Sequence, residues 1–269
     1  MKQNDIHHLP QPGARTVILD LLSTRDRETC SAAEIVRAGS AFGIEATGMR
    51  TAITRLKTER RIRQLSRGLY GPGEESEPLQ RRLQGWRTIT ERRCDWTGGW
   101  ALAVITSVER ADRTELRRTM RALDFGGFAE AEAGIWVRPD NLRGGVGMVR
   151  CELRALGAAR SMLVAAAHDF DDVRVARHAA LWDPAPVEKG YRELAAMLDA
   201  HAATVLEEPL ETAAATTLVL GREAIRRIVH DPLLPDALGG IAALTDLVAA
   251  MTRYDRLGQD VWWRFLDGA

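Results

Sequence analysis

Apolar positions along the first half of the chain fall into short, sharply bounded runs. Over Ala14 to Leu22, Val17, Ile18, Leu21 and Leu22 make one stripe of a helix. Ser31 followed three residues later by Glu34 has capping-box spacing, which predicts a second helix through Ile35, Val36 and Ala38 that stops over Gly39 to Gly43. After the turn Gly43-Ile44-Glu45, a third helix starts at Ala46 or Thr47 and runs to Arg60 or Arg61. Its Met49, Ala52, Ile53 and Leu56 face inward, and Arg50, Thr51, Thr54, Arg55 and Lys57 face outward. The stretch from Ile62 to Tyr70 alternates around Arg67-Gly68 as a small hairpin. Three short helices and a hairpin predict a winged helix-turn-helix over residues 1–75, closed by the Gly-, Pro- and acid-rich linker Gly71 to Pro78.

Beyond the linker the pattern changes. A polar helix from Leu79 to about Arg93 leads to a buried strand from Trp100 to Ser107, a helix from Thr114 to Leu123, and strands over 127–133 and 135–138. A helix from Val146 to Leu156 and a strand from Ser161 to Ala167 follow. The order βαββαβ predicts a ferredoxin-like domain over residues 76–172. From Val173 onward the text is helical, with expected helices at 174–181, 187–206, 210–230, 236–252 and 255–266, an all-helical domain of residues 173–269. The fold class expected is therefore α+β.

Composition bounds the function. Lys plus Arg and Asp plus Glu are each 37, so net charge says nothing about a polyanionic partner, but its distribution does. Between Thr47 and Tyr70, Arg50, Arg55, Lys57, Arg60, Arg61, Arg63 and Arg67 stand against the single acid Glu59. A helix fits the major groove, arginine pairs bidentately with guanine, and threonine reaches base edges or phosphate. Arg50, Thr51, Thr54 and Arg55 are thus the expected base readers, with Lys57, Arg63 and Arg67 neutralising phosphates. The bland alternative for the same residues is a solvated basic face.

Apolar runs stay well short of the ~18 residues of a membrane span, and the N-terminus lacks a signal-like stretch, which predicts a soluble cytoplasmic protein with no membrane partner. Cys30, Cys94 and Cys151 are widely separated, so neither a disulfide framework nor a cysteine metal site is expected. His168-Asp169-Phe170-Asp171-Asp172 carries metal-ligand types but reads better as a polar loop, and His7-His8 as an accident of sequence. No nucleotide-binding, metalloprotease or nucleophile-elbow motif occurs, so no catalytic residue, metal or cofactor is expected.

Four segments resemble one family, the PaaX-type repressors of phenylacetate catabolism. Ala14-Arg15-Thr16-Val17-Ile18-Leu19 is similar to its opening helix, and Phe42-Gly43-Ile44 with Arg50 to Leu56 to its recognition helix. Gly134-Ile135-Trp136-Val137-Arg138-Pro139 resembles its central strand, and Asp231-Pro232-Leu233-Leu234-Pro235 its C-terminal motif. The tryptophan that the family carries soon after that last motif is absent. The resemblance implies a homodimeric repressor on an inverted-repeat operator in double-stranded DNA, released by phenylacetyl-coenzyme A or another aryl acyl-coenzyme A. The aromatic and arginine residues of the helical region would suit such an effector, an apolar ring with phosphates attached, and Trp182, Tyr191 and Arg192 are its candidate contacts. Plain core packing is the competing reading of those residues.

The middle of the chain is also similar to the small CRISPR nuclease subunit Cas2, which raises a divergent metal-dependent nuclease as an alternative. That chemistry needs a carboxylate at the end of the first strand, where Ile105-Thr106-Ser107 stands instead; Glu109 and Asp112 come later. A third alternative is an architectural or RNA-binding protein without sequence preference.

Overall fold

The computed structural model describes residues 9–23, 29–74 and 83–268. Within them the chain is α+β, with two antiparallel sheets and a helical C-terminal region, and its residues group into two units.

The first unit holds the chain up to Arg87 together with Glu193–Arg226 and Leu247–Ala269. Helix α1 (Ala14–Leu22) presents its predicted stripe to the core, and Val17, Ile18, Leu21 and Leu22 are all buried. Strand β1 (Cys30–Ser31) runs into α2 (Ala32–Ser40), whose start carries the capping box. The Ser31 hydroxyl accepts from Glu34 N–H at 3.1 Å, and the Glu34 carboxylate accepts from Ser31 N–H at 2.7 Å. Two orphan amides of the first turn are thereby satisfied. Helix α3 (Ala46–Thr58) packs close to α2, since a Cβ on Gly39 would come within 2.5 Å of Met49 Cγ. Strands β2 (Ile62–Ser66) and β3 (Leu69–Pro72) form the predicted hairpin, turned by Arg67 and Gly68, the latter at φ 77°, where glycine is unstrained. The three strands lie in the order β1-β3-β2. A register shift between Gln64 and Ser66 leaves Leu65 in a bulge.

The second unit holds Thr88–Arg192 and Arg227–Asp246. Strand β4 (Trp100–Val104) is followed by two helices, α4 (Ser107–Arg110) and α5 (Arg113–Phe125). Then come β5 (Ala129–Glu132), β6 (Ile135–Pro139), α6 (Gly145–Ala155) and β7 (Leu163–Ala167). The sheet order is β5-β6-β4-β7, every neighbouring pair antiparallel. Helices α5 and α6 bury Thr119, Ala122, Leu123 and Phe125 and Val146, Val149 and Leu153 respectively. The Thr119 hydroxyl accepts from Ala159 N–H at 2.9 Å, fixing the turn after α6 onto α5.

The helical region does not group as a third unit of its own. Helices α7 (Asp172–Ala179), α8 (Pro184–Ala202), α9 (Leu210–Val229) and α10 (Ala242–Asp267) divide their residues between the two units above. In the first, Val261, Trp262, Phe265 and Leu266 of α10 complete the same apolar core as α1, α2 and α3, and the Trp262 ring stacks on Phe42 at 6.4 Å.

Several expected helix boundaries move; the helix expected over 187–206, for one, runs Pro184–Ala202, with a separate 3-10 turn at Val205–Glu207. Helix α10 is continuous where the punctuation predicts a break at Asp255, because the Asp255 carboxylate accepts from Gln259 one turn on and from Arg87, and so stays within the helix. It begins at Ala242 rather than 236, since Gly239 and Gly240 adopt positive φ and only a single 3-10 turn, Asp236–Leu238, precedes them. The polar helix expected from Leu79 is described only from Leu83, and there it becomes a 3-10 segment, Gly85–Arg92, kinked at Thr88. His7-His8 and the acidic end of the linker lie outside the described residues.

In the second unit two of the family-like segments meet. The buried Arg138 of β6 donates to the carbonyls of Gly126, Pro139 (3.1 Å) and Pro232 (3.1 Å), and Asn141 donates to Leu233 O at 2.7 Å. Asp231 accepts from Leu233 N–H at 2.6 Å and from the Tyr191 hydroxyl at 2.7 Å, which holds Leu233 at φ 54°. The Asp-Pro-Leu-Leu-Pro turn is thus locked from three sides by buried hydrogen bonds.

Candidate nucleic-acid interface

Helix α3 buries Met49, Ile53 and Leu56, so its opposite face is fixed by the same three anchors. On that face Arg50, Thr51, Thr54, Arg55 and Lys57 are all exposed. No ion pair engages Arg50 or Arg55 among the described residues, whereas Arg15 on α1 is neutralised by Glu59 at the end of α3. The guanidinium groups therefore meet solvent at full charge.

The threonines are arranged differently. Thr51 and Thr54 donate their hydroxyl protons back to the carbonyls of Thr47 (2.9 Å) and Arg50 (3.2 Å). In this state each offers outward a methyl group and an acceptor oxygen, suited to a thymine methyl or an amino group rather than to a phosphate.

The hairpin is tied to the helix. Lys57 Nζ donates to Gln64 Oε1 at 2.8 Å, and Gln64 Nε2 in turn donates to Ser66 O at 3.1 Å. Lys57 keeps its charge, since its partner is a neutral amide, but it also sets the angle of β2 against α3. Arg63 on β2 and Arg67 at the turn are exposed, so all seven predicted residues are solvent-facing. No local pattern singles out Gln64 or the bulged Leu65, which is 45% exposed at the ribbon tip. Both depend on a register shift that the alternation of residues does not encode.

The three candidate effector residues are each engaged separately. Trp182 stacks on Trp100 at 6.2 Å, in a cluster where Trp96 and His178 also pack edge-on against Trp100 and Phe170 packs against His178. Burial holds the His178 imidazole below its usual pKa. Neither Trp100 Nε1 nor His178 Nδ1, both buried, has a hydrogen-bond partner among the described residues. Tyr191 is buried on Asp231; burial and that carboxylate push its hydroxyl pKa up, while burial also raises Asp231. Arg192 is exposed and paired with Glu188 one turn away at 2.7 Å.

The acids considered for metal chemistry have other employment. Glu109 closes a capping box on Thr106, with hydrogen bonds from Ser161 and Thr106 holding its carboxyl down to about 2, and Asp112 caps α5. Asp171 caps α7. No group of three or more His, Cys, Asp or Glu able to hold a metal occurs among the described residues, and no described helix is long and apolar enough to cross a membrane.

No protein-family model matches the chain, and no curated protein does. Among solved structures it is similar to the uncharacterized protein Rv0674 from Mycobacterium tuberculosis, with a TM-score of 0.55 and 24% identity over 92% of this chain and 99% of that one. At that identity the likeness speaks for the fold alone, and it runs through both units.

Proposed function

We propose that the protein is a sequence-specific DNA-binding transcriptional regulator, a homodimeric repressor with α3 as recognition helix and the β2–β3 hairpin as wing. The observation that carries this reading is the basic surface of α3 and the hairpin: charged groups without acidic partners, held on a helix anchored by three buried residues. The element order of a winged helix-turn-helix supports it. A small winged helix neutralises few phosphates, so tight binding calls for two copies on half-sites about 34–36 Å apart. The ferredoxin-like reading of the second unit is supported by its β5-β6-β4-β7 order, with helices after β4 and β6.

Footprinting on genomic fragments selected by the protein tests the proposal. A protected inverted repeat is expected; binding that responds to salt but not to sequence would favour the architectural alternative instead. The nuclease alternative is weakened by the capping roles of Glu109 and Asp112.

The effector belongs to the same proposal. An aryl acyl-coenzyme A that binds the DNA-free dimer better than the bound one must lower operator affinity by the same factor. Of the three candidate residues Trp182 fits best, since it lies in the aromatic cluster whose two buried ring nitrogens lack partners, while Tyr191 is committed to Asp231. Operator gel shifts titrated with aryl and aliphatic acyl-coenzyme A thioesters, free acids and free coenzyme A decide it, and retention of DNA under all of them would overturn it.

A further inference from the structure

Helix α5 carries a second basic surface. From Arg110 to Arg121 the chain has five arginines, Arg110, Arg113, Arg117, Arg118 and Arg121, against Asp112 and Glu115. Asp112 is occupied as the helix cap, accepting from Thr114 and Glu115 N–H. Arg113, Arg117 and Arg121 recur every four residues and form one exposed row, with Arg118 beside it. Arg118 also lies against Gly157, near where the exposed Arg160 follows the turn pinned to Thr119.

Like charges at this spacing repel and weaken a helix. Several helical arginines elsewhere have acidic partners: Arg192, Arg226 and Arg253 each pair with an acid in or beside their own helix. None of the four α5 arginines forms an ion pair among the described residues. The acids of the same helix, Glu115 and the exposed Asp124 three residues beyond Arg121, form no ion pair with the row among the described residues, and such a row is what a polyanion would neutralise, guanidinium being the group best matched to phosphate.

We infer that the arginine row of α5 is a phosphate-contacting surface for duplex DNA, separate from the base-reading surface of α3; this rests on the DNA-binding reading. Successive arginines advance about 6 Å, so the row spans about 12 Å, the axial length of three to four phosphates of one strand. Guanidinium can read guanine, but a regular row without the neutral polar side chains of the α3 face is better matched to the repeating backbone than to a base sequence. It adds affinity without preference.

The test is the salt dependence of binding by the full-length protein, with Arg113→Gln, Arg117→Gln and Arg121→Gln combined in one variant and circular dichroism to verify its helix content. The slope of log K against log salt should become shallower by about 5, at about 0.9 per phosphate contact for the six arginines that a dimer carries. Operator and unrelated duplex should lose affinity by the same factor. Arg50→Ala, by contrast, should alter the ratio between the two duplexes and change the slope by no more than about 2 for its two copies. A variant that folds and binds with the wild-type slope overturns this inference and leaves the α3 reading standing. Wild-type protein that binds neither duplex at low salt overturns both.

Discussion

Two regions of the molecule attract notice for the same kind of reason, a concentration of residue types suited to a ligand, and the fold treats them in opposite ways. On α3 and the hairpin the arginines and threonines stand in solvent, with the apolar half of the helix doing the anchoring. In the helical region the aromatics turn inward. Trp262 stacks on Phe42, Tyr191 is buried on Asp231 and Tyr254 hydrogen-bonds His201 at 2.7 Å within the first unit. Residue type alone does not separate a reader from a strut; what separates them is whether the side chain stands in solvent or is buried in the core.

That contrast is breakable. The largest effect is expected from Trp262→Ala, which removes a nearly fully buried ring from the core shared with α1 to α3 and should cost about 3–5 kcal/mol in denaturant unfolding. Operator affinity should fall with it, although the Trp262 ring is packed inside that core and takes no part in the basic surface. Next comes Arg138→Met, which keeps the aliphatic bulk but strands the carbonyls of Gly126, Pro139 and Pro232; about 2–4 kcal/mol of stability should be lost, measurable by urea unfolding.

Arg50→Ala and Arg55→Ala should behave in the converse way. Each should weaken specific operator binding by about 1–3 kcal/mol, and thermal unfolding should be unchanged to within about 0.5 kcal/mol, since neither side chain has a folded-state partner to lose. Stability loss with intact footprints would reverse the assignment of the two regions.

The smallest effect is pH-linked. Glu109 sits at about 2, below its ordinary value of 4.5, so its contribution is fully present above the unfolded-state value and is lost as pH falls through about 2. Glu109→Gln keeps an oxygen that can accept from Thr106 N–H and removes only the charge, so it should cost about 0.3–1 kcal/mol at pH 7, and the gap to wild type should close as both are titrated toward pH 2.

Much of the first unit was legible because its signals are local. The stripe of α1, the Ser31–Glu34 box and the Arg67-Gly68 turn each lie within a few residues of the structure they specify, and all appear where expected. Contacts between distant segments were not legible. Nothing near Trp262 announces that it will stack on Phe42, and nothing in Gly134 to Pro139 announces that Arg138 will grip Pro232. Helix punctuation also misled at Asp255, where a residue type common at helix ends is retained inside by Gln259 and Arg87. Charge periodicity on α5 was there to be read, but a solvated arginine row and a phosphate-binding one look alike until the absence of paired acids is seen in three dimensions.

The core of the first unit draws on both Ile18 and Leu266, and that sets an order of events at the ribosome. Helices α1 to α3 emerge early yet lack the packing of Val261, Trp262, Phe265 and Leu266 until α10 has been made, about 200 residues later. At about 5–20 residues per second that interval is roughly 10–40 s. During it the basic helix is already outside the tunnel with its apolar side incompletely covered, and the second unit too waits for Arg227–Asp246, which carries the Pro232 and Leu233 carbonyls that Arg138 and Asn141 hold. A nascent chain would therefore complete the core beneath its basic helix last, after the rest of the polypeptide exists to be attached to it.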